Sequence, residues 1–293
     1  MNSMTPVCVW PVAAALGEGP IWRASEGAVY FVDIKKRKLH RFSAATGETR
    51  TWDAPAQTGF VLPYADDTFV CGVQGGLHRF TPSTGEFELL KHVESEFQGN
   101  RINDGYADAR GRLWFGTMDD AEVDPSGALY MVGDSGEIVQ RDSGYVITNG
   151  PAMSPDGSTL YHGDTVKRVV YAFDVASDGT LSGKRTFTAI SGTGYPDGMA
   201  VDAQGYVWIA LFGGARIERY SPAGVLVDQI AFPCSNVTKL AFGGDDLCTV
   251  YATTARKGLS QAQLSEQPSA GGLFTFRSPV KGQTQAVCTA VLG

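Results

Sequence analysis

Five polar residues each fall 11 or 12 positions ahead of an aromatic residue that is embedded in a short apolar run. Glu18 precedes Tyr30, Asn103 precedes Trp114, Asn149 precedes Tyr161, Asp197 precedes Trp208 and Lys239 precedes Tyr251. Residues in the same phase of a structural repeat occupy equivalent places, so this set is expected to ring one end of a common space. Charged and amide side chains gathered away from water are costly unless each finds a partner. Two carboxylates facing each other repel, and hold their protons to higher pH, unless a cation lies between them. Carboxylate and amide oxygens are the donors that a hard divalent ion takes, so Glu18, Asn149 and Asp197 are the candidate metal ligands. Three protein oxygens leave positions for water or substrate, which is the condition for catalysis at an open metal site. Taken singly, Glu18-Gly19, Asn149-Gly150 and Asp197-Gly198 also read as ordinary turns. Their shared phase is what separates the two readings.

The elements that must position these residues repeat along the chain. A turn rich in Gly and Asp, then a short apolar run with an aromatic, recurs as AVYFVD, RLWFGT, TLYHGD, YVWIAL and TVYATT, with a weaker form, TFVCGV, around Val70. The markers Tyr30, Val70, Trp114, Tyr161, Trp208 and Tyr251 are spaced by 40 to 47 residues. Six near-equal units of this length predict the blades of a β-propeller. The unit from Asp197 shows the internal plan: DGMAVD, YVWIAL, RIERY and VLVDQIAF are four short strands joined by Gly-rich turns. No stretch holds an apolar helical period over three turns. The expected fold is therefore all-β, one six-bladed propeller domain over residues 1–293 with the metal site in its central channel. The N-terminal CVWPV segment is expected to close the ring by adding a strand to the last blade, beside GLFTFR and TQAVCTAV, with Cys8 and Cys288 as neighbours, both reduced. In the second unit, Val70 leads back to Thr58 or Gly59.

Composition excludes several classes. Net charge is −7 with no extended basic block, so binding to nucleic acid or to an anionic membrane by bulk electrostatics is not expected. The run Lys35-Lys36-Arg37-Lys38 reads as a solvated hairpin turn. Five cysteines with no CxxC argue against a disulfide framework or a zinc knuckle and fit a reducing cytoplasm. VCVWPVAAALG has the apolarity of a secretory segment but lacks a basic flank and contains Pro11, so a leader is not expected. No apolar stretch is long enough to span a membrane. A monomer acting on a small molecule is the expectation.

The segment LGEGPIW (16–22) resembles the opening motif of the family that contains gluconolactonase, senescence marker protein 30 and bacterial sugar lactonases, the aldonolactonases. The resemblance continues through RINDGYADARGRLWFGTM (101–118), ITNGPAMSPDGSTLYHGDT (147–165) and YPDGMAVDAQGYVWIA (195–210), and resumes at VTKLAFGG, YATTAR and SAGGLF. It implies a six-bladed propeller holding one divalent metal ion (calcium, zinc, manganese or iron(II)) on Glu18, Asn149 and Asp197. It implies that Arg101 and Asn103 bind substrate. Relatives carry a sugar-binding Glu shortly after GTM; here the segment reads GTMDDAEVD, which offers Asp119, Asp120 and Glu122. The position after NDG, often Lys in the family, is Tyr106, and at a pocket rim it would alter substrate preference.

The chemistry expected is hydrolysis of a sugar lactone, such as a glucono-, xylono- or arabinolactone, to the aldonic acid. Asp197 is the candidate catalytic base beside its role as ligand, and Arg101 and Asn103 would orient the ring hydroxyls. No GxSxG occurs, the four His are scattered, and His162 reads as a packing residue inside a strand. The alternatives are a calcium-dependent phosphotriesterase or arylesterase on a similar ligand set, and a propeller that binds without catalysis.

Overall fold

The recurring turn explains why the units fold alike. In DARGRLW, Asp108 accepts hydrogen bonds from the backbone N–H of Arg110 (2.9 Å) and Arg112 (3.1 Å) and from Trp114 Nε1 (2.9 Å). In DAQGYVW, Asp202 does the same for Gln204, Tyr206 and Trp208 at 2.9, 3.0 and 2.9 Å. One carboxylate thus closes the turn and pins the aromatic marker of the next strand. The glycine between them, Gly111 or Gly205, sits at φ +78° or +84°, where a side chain would be strained. The fourth unit replaces the Asp with Ser154, which accepts from the N–H of Thr159 at 2.9 Å.

The computed structural model describes residues 4–65 and 67–292. It contains six antiparallel four-stranded sheets, each formed from consecutive strands except at the ring closure. Their inner strands are Gly17–Arg23, Thr58–Pro63, Asn100–Ala107, Thr148–Met153, Tyr195–Val201 and Val237–Gly243 for blades one to six. Each inner strand packs against the next, and the sixth against the first, so the sheets form a closed ring. Blade three consequently faces blade six across the channel. The architecture is the six-bladed propeller expected from the repeat. Apolar side chains fill the spaces between blades: Tyr30 meets Phe69 at 4.5 Å between ring centroids, Trp22 stacks on Tyr251 at 5.6 Å, and Trp208 meets Phe242 edge-on at 5.5 Å. Each fully buried aromatic contributes on the order of 1.5–3 kcal/mol.

Closure is half as expected. Val7–Trp10 pairs antiparallel with Leu273–Arg277 and completes blade six. The TQAVCTAV segment does not join that sheet. Instead the C-terminal segment runs beneath the ring: Gln283 Nε2 donates to the carbonyls of Met153 (3.0 Å) and Val201 (3.1 Å), and the N–H groups of Cys288 and Thr289 donate to Pro63 and Gly111. With Cys288, Ala290 and Leu292 buried, it covers the end of the channel away from the site. Cys288 therefore lies under blade two, whereas Cys8 lies beside Ser269 and Cys234 in blade six, and the expected Cys8–Cys288 proximity is corrected. All five thiols are free. The structure adds one short helix that periodicity missed, Gln261–Glu266, closed by a capping box between Ser260 and Gln263. Among the described residues no helix is long and apolar enough to cross a membrane.

Candidate active site

All six inner strands break register at the same level. The shifts fall between Glu18 and Ile21, Thr58 and Phe60, Ile102 and Asp104, Asn149 and Ala152, Pro196 and Met199, and Val237 and Lys239. Such bulges leave a residue out of the ladder and re-aim its side chain. Here they turn Glu18, Asn103, Asn149 and Asp197 into one cavity of about 360 Å³ at one end of the channel, together with Arg101, Glu122, Tyr195 and Lys257. Among the described residues blade two lends the cavity no side chain. It places Gly59 there, where a Cβ would stand 2.5 Å from the carbonyl oxygens of Ile102 and Asn103, so the missing side chain lets blade three approach. Gly19 and Gly150, at φ +56° and +76°, supply the left-handed backbone that two of the bulges need.

Glu18, Asn149 and Asp197 are 5%, 3% and 7% exposed, so all three are withdrawn from bulk water. The two carboxyls lie within hydrogen-bonding reach of each other, which requires a proton between them. Burial, followed by the nearby charge of Asp104, pushes Glu18 up to about 7 even though Lys239 opposes it. Burial and then the charges of Glu18 and Asp104 push Asp197 well above the ordinary carboxylate range. Such a pair is short of positive charge. Among the described residues no three His, Cys, Asp or Glu side chains form a metal-binding cluster, so a candidate metal centre depends on the amide of Asn149 as third donor. That amide is oriented for the purpose: its Nδ2 donates to Thr165 Oγ1 at 2.8 Å, and Thr165 in turn donates to the carbonyl of Pro196 at 2.8 Å. The remaining oxygen, Oδ1, points to the channel and accepts from Asn103 Nδ2 at 3.1 Å. Two carboxylates short of cationic partners and one directed amide oxygen fit a hard divalent ion.

Arg101 and Asn103 lie beside this group. Arg101 Nη1 donates to Asn103 Oδ1 at 2.6 Å and its Nε to Asp120 Oδ1 at 2.7 Å. Asp120 also accepts from Lys35 Nζ (2.6 Å) and Gln57 Nε2 (2.9 Å). Partial burial works against ionising Asp120, but Lys35, Gln57 and Arg101 hold its carboxyl down to about 2. A continuous chain from Lys35 through Asp120, Arg101, Asn103, Asn149 and Thr165 to the Pro196 carbonyl therefore links blades one, three, four and five, with Gln57 of blade two joined at Asp120, and fixes the pocket side chains in place.

The three acidic candidates after GTM separate by geometry. Asp119 accepts from the N–H groups of Ala121, Val123 and Asp124 at 2.9 to 3.2 Å and serves its own loop. Asp120 holds Arg101. Glu122 is the one that lines the cavity, paired with Lys257. Three expectations need correction. Lys239 does not line the cavity: its side chain drops below and pairs with Asp104 of the facing blade, because a buried carboxylate there would otherwise stand uncompensated. Tyr106 lies at the far end of the channel among residues covered by the C-terminal segment, three residues beyond Asn103 on the same strand, so it does not sit at the pocket rim where it would alter substrate preference. The basic hairpin is not wholly solvated, since Lys35 reaches Asp120. His162 is the buried packing residue expected, edge-on to Tyr145. The glycines after Glu18 and Asn149 were the signal for the bulges; Asp104 and Thr165 lie inside the quoted segments without having been singled out, and Lys257 lies just past YATTAR.

A family model described as the SMP-30/Gluconolactonase/LRE-like region matches residues 16–256. The chain is 34% identical over 279 residues to a 6-deoxy-6-sulfogluconolactonase of Pseudomonas putida, covering 94% of this chain and 95% of that one. It is 32% identical over 277 residues to an L-arabinolactonase of Azospirillum brasilense, covering 92% and 91%. Its fold matches the crystal structure of a calcium-binding protein, regucalcin, from Agrobacterium tumefaciens with a TM-score of 0.92, at 28% identity and 96% coverage of both chains.

Proposed function

This chain belongs to the SMP-30/gluconolactonase/LRE-like family, and we propose that it is a metal-dependent lactonase that opens an aldonolactone to the aldonic acid. The observation that carries this reading is the convergence of two buried carboxylates and one oriented amide oxygen, Glu18, Asp197 and Asn149, in a cavity that also holds Arg101 and Asn103. The relatives named for a sulfogluconolactone and an arabinolactone support a sugar-lactone ring as the substrate class. The relative described as calcium-binding supports a divalent ion. A cavity of about 360 Å³ suits a single sugar ring with water.

In this mechanism Glu18, Asn149 and Asp197 would hold the ion. When bound, the ion supplies the Lewis acidity that polarises a lactone carbonyl. Arg101 and Asn103, fixed by Asp120 and Asn149, donate hydrogen bonds to the ring hydroxyls and set the carbonyl carbon against the attacking water. Asp197 takes the proton from that water as its oxygen bonds to the carbonyl carbon. The ring C–O bond then breaks, and its oxygen takes up the proton that Asp197 holds, which returns the carboxylate. A carboxylate beside the reacting carbon is placed to accept that proton. The five free thiols are in keeping with a reducing cytoplasm as its place of work.

The test is a panel of glucono-, xylono-, arabino- and galactonolactones with a phosphotriester and an aryl ester alongside, each in the presence of a divalent ion. Enzymatic opening of at least one aldonolactone, well above the rate on both esters, is expected. Hydrolysis of the phosphotriester with no lactone opened would replace this reading by the phosphotriesterase one. Arg101→Ala should lower kcat/KM for sugar lactones by roughly 10- to 100-fold, the scale of a lost charged hydrogen bond, with metal content unchanged. Loss of the metal in that variant would assign Arg101 to supporting the ligands through Asn103.

A further inference from the structure

Two ion pairs cross the channel between the facing blades three and six. Asp104–Lys239 lies below the site with both side chains at least nine-tenths buried. Glu122–Lys257 lies at the mouth, where the side chains keep 35% and 33% of their exposure. The backbone at Lys257 is fixed from two sides. Its N–H donates to the carbonyl of Ala15 at 2.8 Å and its carbonyl accepts from Asn236 Nδ2 at 3.0 Å. Only the flexible stem and the ammonium are free to choose partners. The ammonium is close enough to the site to act electrostatically on Asp197. The rest of the rim is different in kind: Val166 and Tyr195, both 48% exposed, and Phe212 present apolar surface on the side of blades four and five.

Arg101 and Lys257 are the two cations lining the cavity. Arg101 is 3% exposed and tied to Asp120 and Asn103, so a ligand cannot exchange those partners cheaply. Lys257 holds one half-solvated carboxylate, and pairs of that kind are worth about 0–1 kcal/mol. An anion on a bound molecule can therefore displace Glu122, whose carboxylate swings into water. The geometry points to Lys257 as a specificity-determining residue that takes an anionic substituent, such as a phosphate or sulfonate, carried by the lactone at the end remote from its carbonyl. This rests on the lactonase reading and names the substrate group that the rim selects.

The experiment compares kcat/KM for glucono-δ-lactone 6-phosphate with that for unsubstituted glucono-δ-lactone, in the metal-loaded protein and with spontaneous hydrolysis subtracted. The ratio should fall roughly 10- to 100-fold in Lys257→Ala, mainly through KM, as expected for one lost charge-assisted contact. It should be largely restored in Lys257→Arg, and it should rise in Glu122→Gln, which releases the ammonium. The backbone of Lys257 makes the hydrogen bonds that hold it in its loop, and its side chain bonds only to Glu122 among the described residues, so these variants keep the fold. A ratio unchanged in Lys257→Ala, or a wild-type protein that opens glucono-δ-lactone but not its 6-phosphate, overturns the assignment and leaves the lactonase reading standing. A wild-type protein that opens neither, while retaining its divalent ion, overturns both.

Discussion

Replacing Asp197 with Asn lowers lactone turnover by about 10²–10⁴-fold, the usual cost of losing general-base assistance, and added metal does not restore it. The substitution keeps an oxygen at the same place, so a ligand survives while the proton acceptor is lost. Glu18→Gln is the necessary comparison. It removes one negative charge from the same buried pair, so its main effect should be weaker metal binding, and saturating metal should return most of its activity. The structure gives the two residues different surroundings that support this division. Glu18 accepts a hydrogen bond from its neighbour Gly19 at 2.9 Å and feels both Asp104 and Lys239 beneath it. Asp197 is raised by burial and then by the charges of Glu18 and Asp104, and the Lys257 ammonium at the mouth of the cavity opposes that rise. Metal titrations of both variants, with spontaneous lactone opening subtracted, decide the matter. If metal brings Asp197→Asn back to near wild-type turnover, Asp197 is a ligand only. Glu122, the other carboxylate lining the cavity, then becomes the candidate base in place of the loop-bound Asp119 and the Arg101-bound Asp120.

The blade repeat was legible because it is local. An Asp or Ser, a glycine and an aromatic within seven or eight residues build one turn and one strand start, and that signature holds in units three, four and five. The phase of the repeat then brings Glu18, Asn103, Asn149 and Asp197 together with no knowledge of tertiary structure. What phase could not supply is height along the channel. Lys239 shares the phase, yet the register shift in its own strand and the charge of Asp104 opposite draw its side chain to a lower level. Whether Tyr106 reached the pocket rim was left open by phase for the related reason that three residues along a strand cover about 10 Å, enough to pass from the cavity to the covered end. The C-terminal segment was misread as a strand because its apolar residues, Cys288, Ala290 and Leu292, alternate as a strand's would. They bury against the underside of the ring and not against a sheet edge. Contacts made by long polar side chains from separate blades, such as Lys35 to Asp120 and Lys257 to Glu122, leave no trace in a single sequence.

Stripping divalent metal from the protein should reduce lactone turnover by about three orders of magnitude or more. A loss on that scale corresponds to removing several kcal/mol of transition-state charge stabilisation. The same treatment should change stability in a manner that pH reveals. Glu18 and Asp197 bind protons more tightly folded than unfolded, since burial and their mutual repulsion raise both. Groups raised in this way stabilise the folded state at low pH, and their contribution is lost as pH rises through the folded value, about 7 for Glu18. The metal-free protein should therefore lose thermal stability between about pH 5 and pH 8. A divalent ion competes with those protons, so its apparent affinity should weaken as pH falls below about 7, and the rise in Tm it produces should be largest at the alkaline end. An ion present at one hundred times its dissociation constant adds about 2.7 kcal/mol. Melting curves with and without metal across this pH range, run beside turnover assays, test both halves. The Glu18→Gln protein is the control, because it lacks one of the two groups and should show a shallower pH dependence. Full turnover in rigorously metal-free protein, or a metal-induced gain in Tm independent of pH, would remove Glu18, Asn149 and Asp197 as the ligand set.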